Sequence, residues 1–202
     1  LFYVAAMAQT TEHDTKERLL QAAKQVFAEK GFNGATVKEI ADSAGVNISL
    51  ISYHFNGKEG LLRACVEPFG RERLQEAQNI LTPADSVEDL RAKLRIWILQ
   101  FLRCHVDEKN ICEILHRENV CQNAFLKEIF DSTFLKSFEA VAKFFEQARR
   151  KGIVRKEVDS MMVAAMLYGS ILNMGHNLEI QQQVLGVSIA NEKFRLEVAD
   201  KF

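Results

Sequence analysis

Hydrogen-bonding side chains are concentrated in one short segment, NISLISYHFNGKEG, at residues 47–60. Its polar members before the Asn56-Gly57 turn are Asn47, Ser49, Ser52, Tyr53 and His54. Hydroxyl groups and a histidine ring can contact phosphate oxygens, and serine can also donate to or accept from base edges in a DNA groove. Leu50 adds an apolar group suited to a thymine methyl. These residue types favour recognition of a nucleic acid.

The apolar residues of this segment follow a helical period. Ile48, Ile51 and Phe55 recur at i, i+3 and i+7, so they are predicted to anchor one face of a short helix. In this register the polar residues and Leu50 lie on the opposite, exposed face. The alternative for the two polar rings, above all for His54, is that one of them packs on the first helix of the chain.

A second set of reactive side chains lies further along the chain: Cys104, His105, Cys112, His116 and Cys121. Cys112 and His116 are four residues apart and would share one helix face, as metal ligands do. No close cysteine pair or dense ligand cluster accompanies them, and no basic residue is visible that would activate a thiol as a redox sensor. We therefore expect buried thiols and ordinary histidines, with no metal and no cofactor; a metal site is the alternative.

The composition predicts an all-α protein. The 202-residue chain is 48% hydrophobic, enough to fill a core, and has only two prolines to interrupt helices. Its 26 basic and 27 acidic residues nearly balance, and residues 12–63 carry seven of each. DNA binding would therefore depend on individually placed contacts and not on a broad basic field. The sequence has no Ser-His-Asp order, carboxylate pair or metal motif typical of an enzyme.

Cysteine usage and the lack of long apolar runs predict the cellular setting. The four cysteines do not form the framework of a small secreted protein, so reduced thiols are expected. No apolar run approaches the length of a membrane span, and the first residues lack a basic leader. We expect a cytoplasmic protein without a membrane partner. Met7 is a candidate initiator residue, in which case residues 1–6 would not be native. No structural prediction is made for residues 1–11.

Two short helices are predicted around the polar segment, after a first helix that starts at an Asp14 cap and ends at a left-handed Gly31. Thr36 begins the first short helix with a capping box, and Gly45 ends it. Asn47 is placed to cap the second. A short helix, a glycine turn and a second short helix form the helix-turn-helix arrangement, whose second helix enters the DNA major groove.

Two residues that flank the second short helix are predicted to bind phosphates. Thr36 offers its hydroxyl group and the free backbone amides of a helix start, in addition to its role as a cap. Lys58 adds a cation at the start of the next helix, predicted from Lys58 to about Leu81. The alternative for Lys58 is a solvated lysine without a partner.

Longer helices are predicted after the linker TPADSVEDL, where Pro83 and Ser86 are start signals. These helices span roughly residues 86–106, 110–118, 122–151, 157–178 and 186–201. We therefore divide the chain into a helix-turn-helix DNA-binding domain at residues 12–62 and a larger helical domain at residues 63–202.

From about Thr15 to Leu62 the sequence resembles the DNA-binding domain of TetR-family transcriptional regulators. The matching residues are Ala22, Ala23, Phe27, Gly31, Phe32, Thr36, Ile40, Ala41, Ala44, Gly45, Val46, His54, Phe55, Lys58, Glu59 and Leu62. The resemblance is specific because so many residues match at fixed spacings along the sequence. The sequence departs from the family where Ser49 replaces a residue that is often glycine, and where Ser52 replaces the usual tyrosine and Tyr53 takes the neighbouring position.

The resemblance implies that the larger domain binds an effector and forms a homodimer through its last two long helices. The candidate effector-binding residues are Trp97, Phe101, Cys104, His116, Phe130, Phe134 and Met166. Most are apolar or aromatic, so the alternative is that they form hydrophobic core. Small residues at positions 164, 165, 169 and 170 would let helices approach closely, either in a dimer or within one chain.

The function predicted from these features is a homodimeric repressor that a small-molecule effector releases from a palindromic DNA operator. The second helix of each helix-turn-helix is called the reading helix here. The two reading helices of the dimer would lie roughly 34 Å apart or somewhat more. The effector would favour a conformation in which their separation does not match the operator. The alternative is a helix-turn-helix protein that a protein partner regulates.

Overall fold

The computed structural model describes the backbone of residues 2–118 and 124–201, with the side chains of residues 12–118, 126–178, 180–184 and 186–201. This part of the chain forms α-helices and one π-helical segment and contains no strand, which confirms the predicted all-α fold. The α-helices are α1 Phe2–Gly34, α2 Val37–Ala44, α3 Ser49–Phe55, α4 Lys58–Ile80, α5 Val87–Asp107, α6 Lys109–Arg117, α7 Ala124–Ile129, α8 Leu135–Arg150, α9 Ser160–His176, α10 Leu178–Leu185 and α11 Glu192–Lys201. The π-helical segment is Phe130–Phe134. No described helix is both long and apolar enough to cross a membrane.

The chain divides into two compact units. The first comprises Leu1–Phe69 with Glu113–Ile129, and the second comprises Gly70–Cys112 with Phe130–Phe202. One division falls inside α4 and another inside α6. Sequence patterns did not indicate that residues 113–129 belong with the first unit, because helical periodicity shows which face of a helix is apolar and not which partner covers it.

In the first unit, α2 packs on α1. The buried residues of these two helices include Leu19, Ala22, Ala23, Val26 and Phe27 in α1 and Ile40, Ala41 and Ala44 in α2. The small residues in this set allow the two helix backbones to approach closely.

The first helix starts earlier than predicted. α1 begins at Phe2, so the predicted N-cap at Asp14 is wrong: Asp14 lies inside the helix, 3.9 Å from the guanidinium group of Arg18. No glycine or proline precedes Asp14, so nothing in the local sequence stops the helix from extending upstream. The prediction for Gly31 is confirmed in part: its φ of 69° is one that glycine adopts readily and interrupts the helical geometry, but α1 continues past it to Gly34.

In the second unit, α9 packs on α5 and α8, and α11 packs on α5. Buried residues of these helices form one core that includes Leu94, Trp97, Ile98, Leu102, Val141, Phe144, Ala164, Leu167, Ile171 and Val198. The predicted start of α5 is confirmed, because the Ser86 hydroxyl oxygen accepts a hydrogen bond from the amide of Asp89.

Two predicted helices of the larger domain differ from those in the structure. The helix expected at 122–151 is interrupted by the π-helical segment; residues 122 and 123 lie outside the described residues. A Cβ atom at Gly70 would be 2.5 Å from Oγ1 of Thr133, so the wider turn occupies space that glycine leaves open. The helix expected at 186–201 begins only at Glu192, and the preceding α10, which ends at a left-handed Gly186, was not predicted.

Candidate nucleic-acid interface

A complete capping box starts α2. The Thr36 hydroxyl oxygen accepts from the amide of Glu39 at 3.2 Å, while the Glu39 carboxylate accepts from the amide and hydroxyl of Thr36 at 3.0 and 2.9 Å. Lys30 donates to the same carboxylate at 2.7 Å. The bonds from Lys30 and then Thr36 lower the pKa of Glu39 to about 2. The Thr36 hydroxyl proton is used inside the box, so the amides of Val37 and Lys38 remain as the donors of this helix start.

The turn after α2 is fixed by Gly45 and by an arginine that the sequence analysis missed. Gly45 adopts the predicted left-handed conformation, with φ 64° and ψ 40°. Nη2 of Arg18 donates to the carbonyl oxygens of Ala44 at 2.5 Å and Gly45 at 3.2 Å. Carbonyl groups at a helix end lack intrahelical donors, so Arg18 supplies what the helix cannot. No sequence signal identified Arg18, since it lies on the polar side of α1 like any solvated arginine.

The second short helix, α3, is anchored by fewer residues than predicted. Ile51 and Phe55 are buried as expected. Ile48 is 46% exposed, so its predicted place on the anchored face is wrong. It is the N-cap residue of α3, with φ −54° and ψ −32°, and so lies at the exposed end of the helix. Asn47 acts as the predicted cap, because its Oδ1 atom accepts from the amide of Ser49 at 2.9 Å and from its hydroxyl at 2.8 Å.

The outward face of α3 carries Ser49, Ser52 and Tyr53. All three are exposed, and Tyr53 is 73% exposed, while Leu50 is half-buried. The hydroxyl proton of Ser49 is donated to Asn47, which leaves the Ser49 oxygen as an acceptor. This face therefore presents an aromatic hydroxyl, two serines and part of a leucine side chain to a partner outside the chain.

His54 does not share that face, so the prediction that places it on the outer side is wrong. Its side chain is 7% exposed, and Nδ1 lies 3.9 Å from a carboxylate oxygen of Glu12 in α1. The ring meets those of Tyr53 at 4.8 Å and Phe55 at 6.1 Å between centroids. His54 directly precedes Phe55 in a seven-residue helix, where it turns toward α1 and not outward. The structure supports the alternative in which this ring packs on the first helix, α1.

Lys58 is positioned by an aromatic ring and by a helix start. Its Nζ atom lies 4.5 Å from the centroid of the Phe32 ring, within the range of a cation–π interaction. The amide of Phe32 in turn donates to a carboxylate oxygen of Glu118 at 2.6 Å. Lys58 is also the first residue of α4, where positive charge and unpaired amides coincide. The position of the Lys58 ammonium group is therefore restricted by its contact with the Phe32 ring.

The junction between α3 and α4 depends on a second residue that the sequence analysis missed. Asn56 ends α3 in the left-handed conformation, with φ 57°, and Gly57 follows with φ 98°. A Cβ atom on Gly60 would lie 1.7 Å from the carbonyl oxygen of Phe55. Only a residue without a side chain permits this approach of the two backbones, so Gly60 sets how α3 joins α4.

In the second unit, two of the predicted effector-binding residues meet in an aromatic cluster. The Trp97 and Phe101 rings lie 5.4 and 5.1 Å from the Tyr168 ring, between centroids. The Tyr168 hydroxyl bonds to that of Ser137 at 2.8 Å, and burial raises the pKa of Tyr168 to about 12. The cluster is thus mostly aromatic, with the Tyr168–Ser137 hydroxyl pair and the His105 ring, 5.3 Å from that of Phe101 between centroids, as polar groups beside it.

The other predicted effector-binding residues do not join that cluster as one set. Phe130 and Phe134 pair with each other in the π-helical segment, 6.1 Å apart between centroids. Met166 is 66% exposed on α9, so its predicted place in a pocket is wrong. His116 is exposed and belongs to the first unit, which likewise contradicts its prediction. The helical period places both residues in helices, but it does not show which side of each helix faces solvent.

Cys104 lies beside His105 and Cys112, and these three could hold a metal ion. Their sulfur and nitrogen atoms all lie within 4.8 Å of one another. The sequence instead paired Cys112 with His116 as the metal alternative; His116 is not part of this group, and Cys121 lies outside the described residues.

Comparison with known proteins links this geometry to one family. Residues 19–65 match the family described as bacterial regulatory proteins, tetR family. The probable HTH-type transcriptional regulator YttP of Bacillus subtilis (strain 168) is 33% identical over 126 residues, which cover 60% of this chain and 58% of YttP. The HTH-type transcriptional regulator TtgR of Pseudomonas putida is 24% identical over 169 residues, 78% of this chain and 77% of TtgR. The chain thus spans less than two thirds of YttP.

A solved structure shares the fold over nearly the whole chain. The transcriptional regulator FadR from Bacillus subtilis, in complex with stearoyl-CoA, superimposes with a TM-score of 0.68. The match covers 91% of this chain and 96% of FadR at 19% sequence identity. At that identity, the likeness extends to the helical fold.

Proposed function

We propose that this chain is a member of the TetR family of bacterial regulatory proteins and works as a dimeric, ligand-responsive DNA-binding repressor; the family match over residues 19–65 supports this. The observation that best supports this proposal is the outward face of α3, where Ser49, Ser52 and Tyr53 are exposed. The helix itself is anchored by Ile51 and Phe55. A side chain as large as tyrosine, exposed over most of its surface, is suited to contact a partner. In a helix-turn-helix protein that partner is the DNA major groove.

Phosphate contacts would fix this helix on DNA from two sides. Lys58, held over Phe32 at the start of α4, supplies one cation. The amides of Val37 and Lys38 at the start of α2 supply the second contact, with Thr36 as their cap. Tyr53 adds a hydroxyl group that can donate to a phosphate oxygen. His54 is not among the proposed contacts, because its side chain is buried.

A homodimer would place two reading helices on one operator, and the outer side of α9 supports it. Met162, Met166 and Leu172 are exposed there, with Ala165 and Gly169 between them. Their spacing forms one apolar stripe along the helix. Large apolar patches of this kind usually mark association surfaces. The two reading helices of the dimer would then meet a palindromic operator with half-sites roughly 34 Å apart, or somewhat more.

The proposed effector is a small molecule bound near Trp97, Phe101 and Tyr168. FadR, which shares the fold, holds stearoyl-CoA, and this favours a small ligand over the alternative of a regulatory protein partner. An effector can act only if it binds one conformation of the protein more tightly than another. The apolar lining and the Tyr168 hydroxyl would suit a ligand with a large apolar part and one polar group.

Residues 113–129 offer a physical route for regulation. Glu118 of this segment accepts from the amide of Phe32, whose ring holds Lys58. Glu128 accepts from Arg63 of α4 at 2.7 Å. Because α6 begins at Lys109 in the second unit, a displacement of α6 would act on these contacts and on the position of Lys58.

The protein would work in the cytoplasm, where its DNA is.

The test begins with selection of bound duplexes from a random-sequence DNA library by the purified full-length protein. We expect a palindromic site, and compounds screened against that complex should include one that releases the DNA. Ser49→Ala should change the selected bases more than the total affinity, whereas Tyr53→Phe should weaken binding to all sequences alike.

Ser132→Ala, which removes an exposed serine hydroxyl in the second unit, is the control for Ser49→Ala and should leave the selected site unchanged. A library that yields no preferred sequence would overturn the proposal. An identical site for the wild type and Ser49→Ala would remove Ser49 from base recognition.

A further inference from the structure

Two thiols and an imidazole converge where α5 ends and α6 begins. Cys104 and His105 lie in the last turn of α5, and Cys112 lies in the first turn of α6. Their three ligand atoms lie within 4.8 Å of one another. Sγ of Cys104 is 3.6 Å from Nδ1 of His105. Neither the DNA-binding face nor the aromatic cluster needs this arrangement.

The cluster is built into the fold. Cys104 and His105 are 4% and 5% exposed, and Cys112 is half-buried, which leaves a path for a small ion. The His105 ring occupies the space above Gly175 of α9, where a Cβ atom would be 2.0 Å from the ring. Only glycine at position 175 lets the imidazole lie this deep. The structure thus fixes the ring and both sulfur atoms from three helices.

We propose that Cys104, His105 and Cys112 bind one thiophilic metal ion of the zinc type. Zinc bonds of about 2.3 Å to sulfur and 2.0–2.1 Å to nitrogen place tetrahedral ligand atoms about 3.6 Å apart. The separation of Sγ of Cys104 and Nδ1 of His105 has this value. Three protein ligands leave the fourth coordination position for water or another small ligand.

Charge and protons balance in such a site. Two thiols release their protons to solvent on binding, and the two thiolates neutralise the divalent cation, so no net charge is buried. His105 ligates through Nδ1 in its neutral form and carries its proton on Nε2. The ion replaces hydrogen bonds that the Cys104 sulfur at 3.1 Å and Nδ1 of His105 at 2.8 Å make with the carbonyl oxygen of Phe101. This inference stands independently of the proposed function.

Cobalt(II) titration of the reduced, metal-free, full-length protein tests the site. A thiolate-to-cobalt charge-transfer band and the visible bands of tetrahedral cobalt should grow to one equivalent per chain, and zinc should abolish them. Cys104→Ser and Cys112→Ser each leave one thiolate, so each should lower the intensity of the charge-transfer band and weaken binding at least tenfold, roughly the least that loss of a supporting residue costs a metal site. His105→Gln should weaken binding while keeping that band.

Cys65→Ser is the matched control, since Cys65 is a buried cysteine of the first unit whose pKa burial raises to about 12. It should bind cobalt like the wild type. Circular dichroism verifies that each variant folds, and the half-buried Cys112 is the substitution least disruptive to the core. Absence of the charge-transfer band in the folded wild type, or an equal band in folded Cys112→Ser, would overturn the site. A Cys104–Cys112 disulfide that forms under peroxide in a protein without cobalt binding would also overturn it.

Discussion

Lys58 illustrates how single side chains prepare the DNA-binding face. Its ammonium group lies over Phe32, and the Phe32 amide is held by Glu118. The long lysine side chain therefore loses less conformational freedom on binding than a solvated one would. The same preparation applies to Ser49, whose hydroxyl is oriented by Asn47. Binding strength in this near-neutral unit should come from such placed groups.

Lys58→Ala should weaken binding to all DNA sequences and reduce the salt dependence of the binding constant. One lost phosphate contact lowers the slope of log K against log salt by about 1 per chain. Fluorescence anisotropy at several salt concentrations measures both quantities. Lys143→Ala removes an exposed lysine of α8 and is the control, with no expected change of slope. A slope unaffected by Lys58→Ala would remove Lys58 from the phosphate contacts.

Gly60→Ala should destabilise the protein, since a methyl group cannot occupy the position 1.7 Å from the Phe55 carbonyl oxygen. Backbone shifts of this kind cost about 1–3 kcal/mol. Urea unfolding followed by circular dichroism measures the loss. Gly34→Ala is the control, because a Cβ atom there meets only an ordinary 3.5 Å contact with Lys30. Equal stability of Gly60→Ala and the wild type would contradict the close approach of α3 and α4.

At the scale of elements, the helix-turn-helix is held by polar groups from α1 as well as by apolar packing. Lys30 bonds to the capping box of α2, and Arg18 bonds to the carbonyl groups at its end. The neighbouring helix thus supports both ends of this eight-residue helix, through the Glu39 carboxylate at its start and two carbonyl oxygens at its end. Such short helices are unstable alone, so these contacts and the buried face of α2 together define its position.

The capping box predicts a specific pH dependence of stability. The folded-state pKa of Glu39 is lowered to about 2 from an ordinary value of 4.5. Its contribution is therefore complete above about pH 4.5 and is lost as the pH falls towards 2. The difference in the free energy of unfolding between the wild type and Glu39→Gln should shrink across this range.

Urea unfolding at several pH values measures that difference. Glu17→Gln, which removes an exposed carboxylate of α1 that accepts from Gln21, is the control. At neutral pH it should lower stability less than Glu39→Gln does. A difference for Glu39→Gln that stays constant from pH 6 to pH 2 would contradict the role of the ionised carboxylate.

At the scale of the whole molecule, the proposed dimer depends on an apolar surface of α9 that is exposed in one chain. One side of α9 packs its Ala164, Leu167 and Ile171 into the core of the second unit. The other side exposes Met162 and Met166, which the sequence analysis could not separate from core residues. A helix that is apolar on both sides can pack against two partners, and among the described residues one of its sides is covered.

Met166→Glu should shift the protein from dimer to monomer at micromolar concentration, because it buries a charge in the proposed interface. Sedimentation velocity measures the assembly state. Ile96→Glu, which places the same charge at an exposed apolar residue of α5, is the control and should leave the dimer intact. A wild-type monomer at these concentrations would overturn the dimer, and with it the palindromic operator.

The sequence by itself determined the elements whose causes are local. Capping boxes, left-handed glycines and apolar periods act over three to seven residues, so Thr36, Gly45, Asn47 and Ser86 were identified correctly. The same local signals predicted the all-α fold and the helix-turn-helix. The family resemblance was visible for the same reason, because its fixed offsets lie within one short segment.

The tertiary structure decided everything that depends on which helix lies beside which. Arg18 at the end of α2, His54 turned towards Glu12, and the convergence of Cys104, His105 and Cys112 join residues from different helices. A period identifies an apolar face, but it carries no information on the partner that covers it. That choice is made by the packing of whole helices, where Gly60 lets two backbones approach and Gly175 leaves room for the His105 ring.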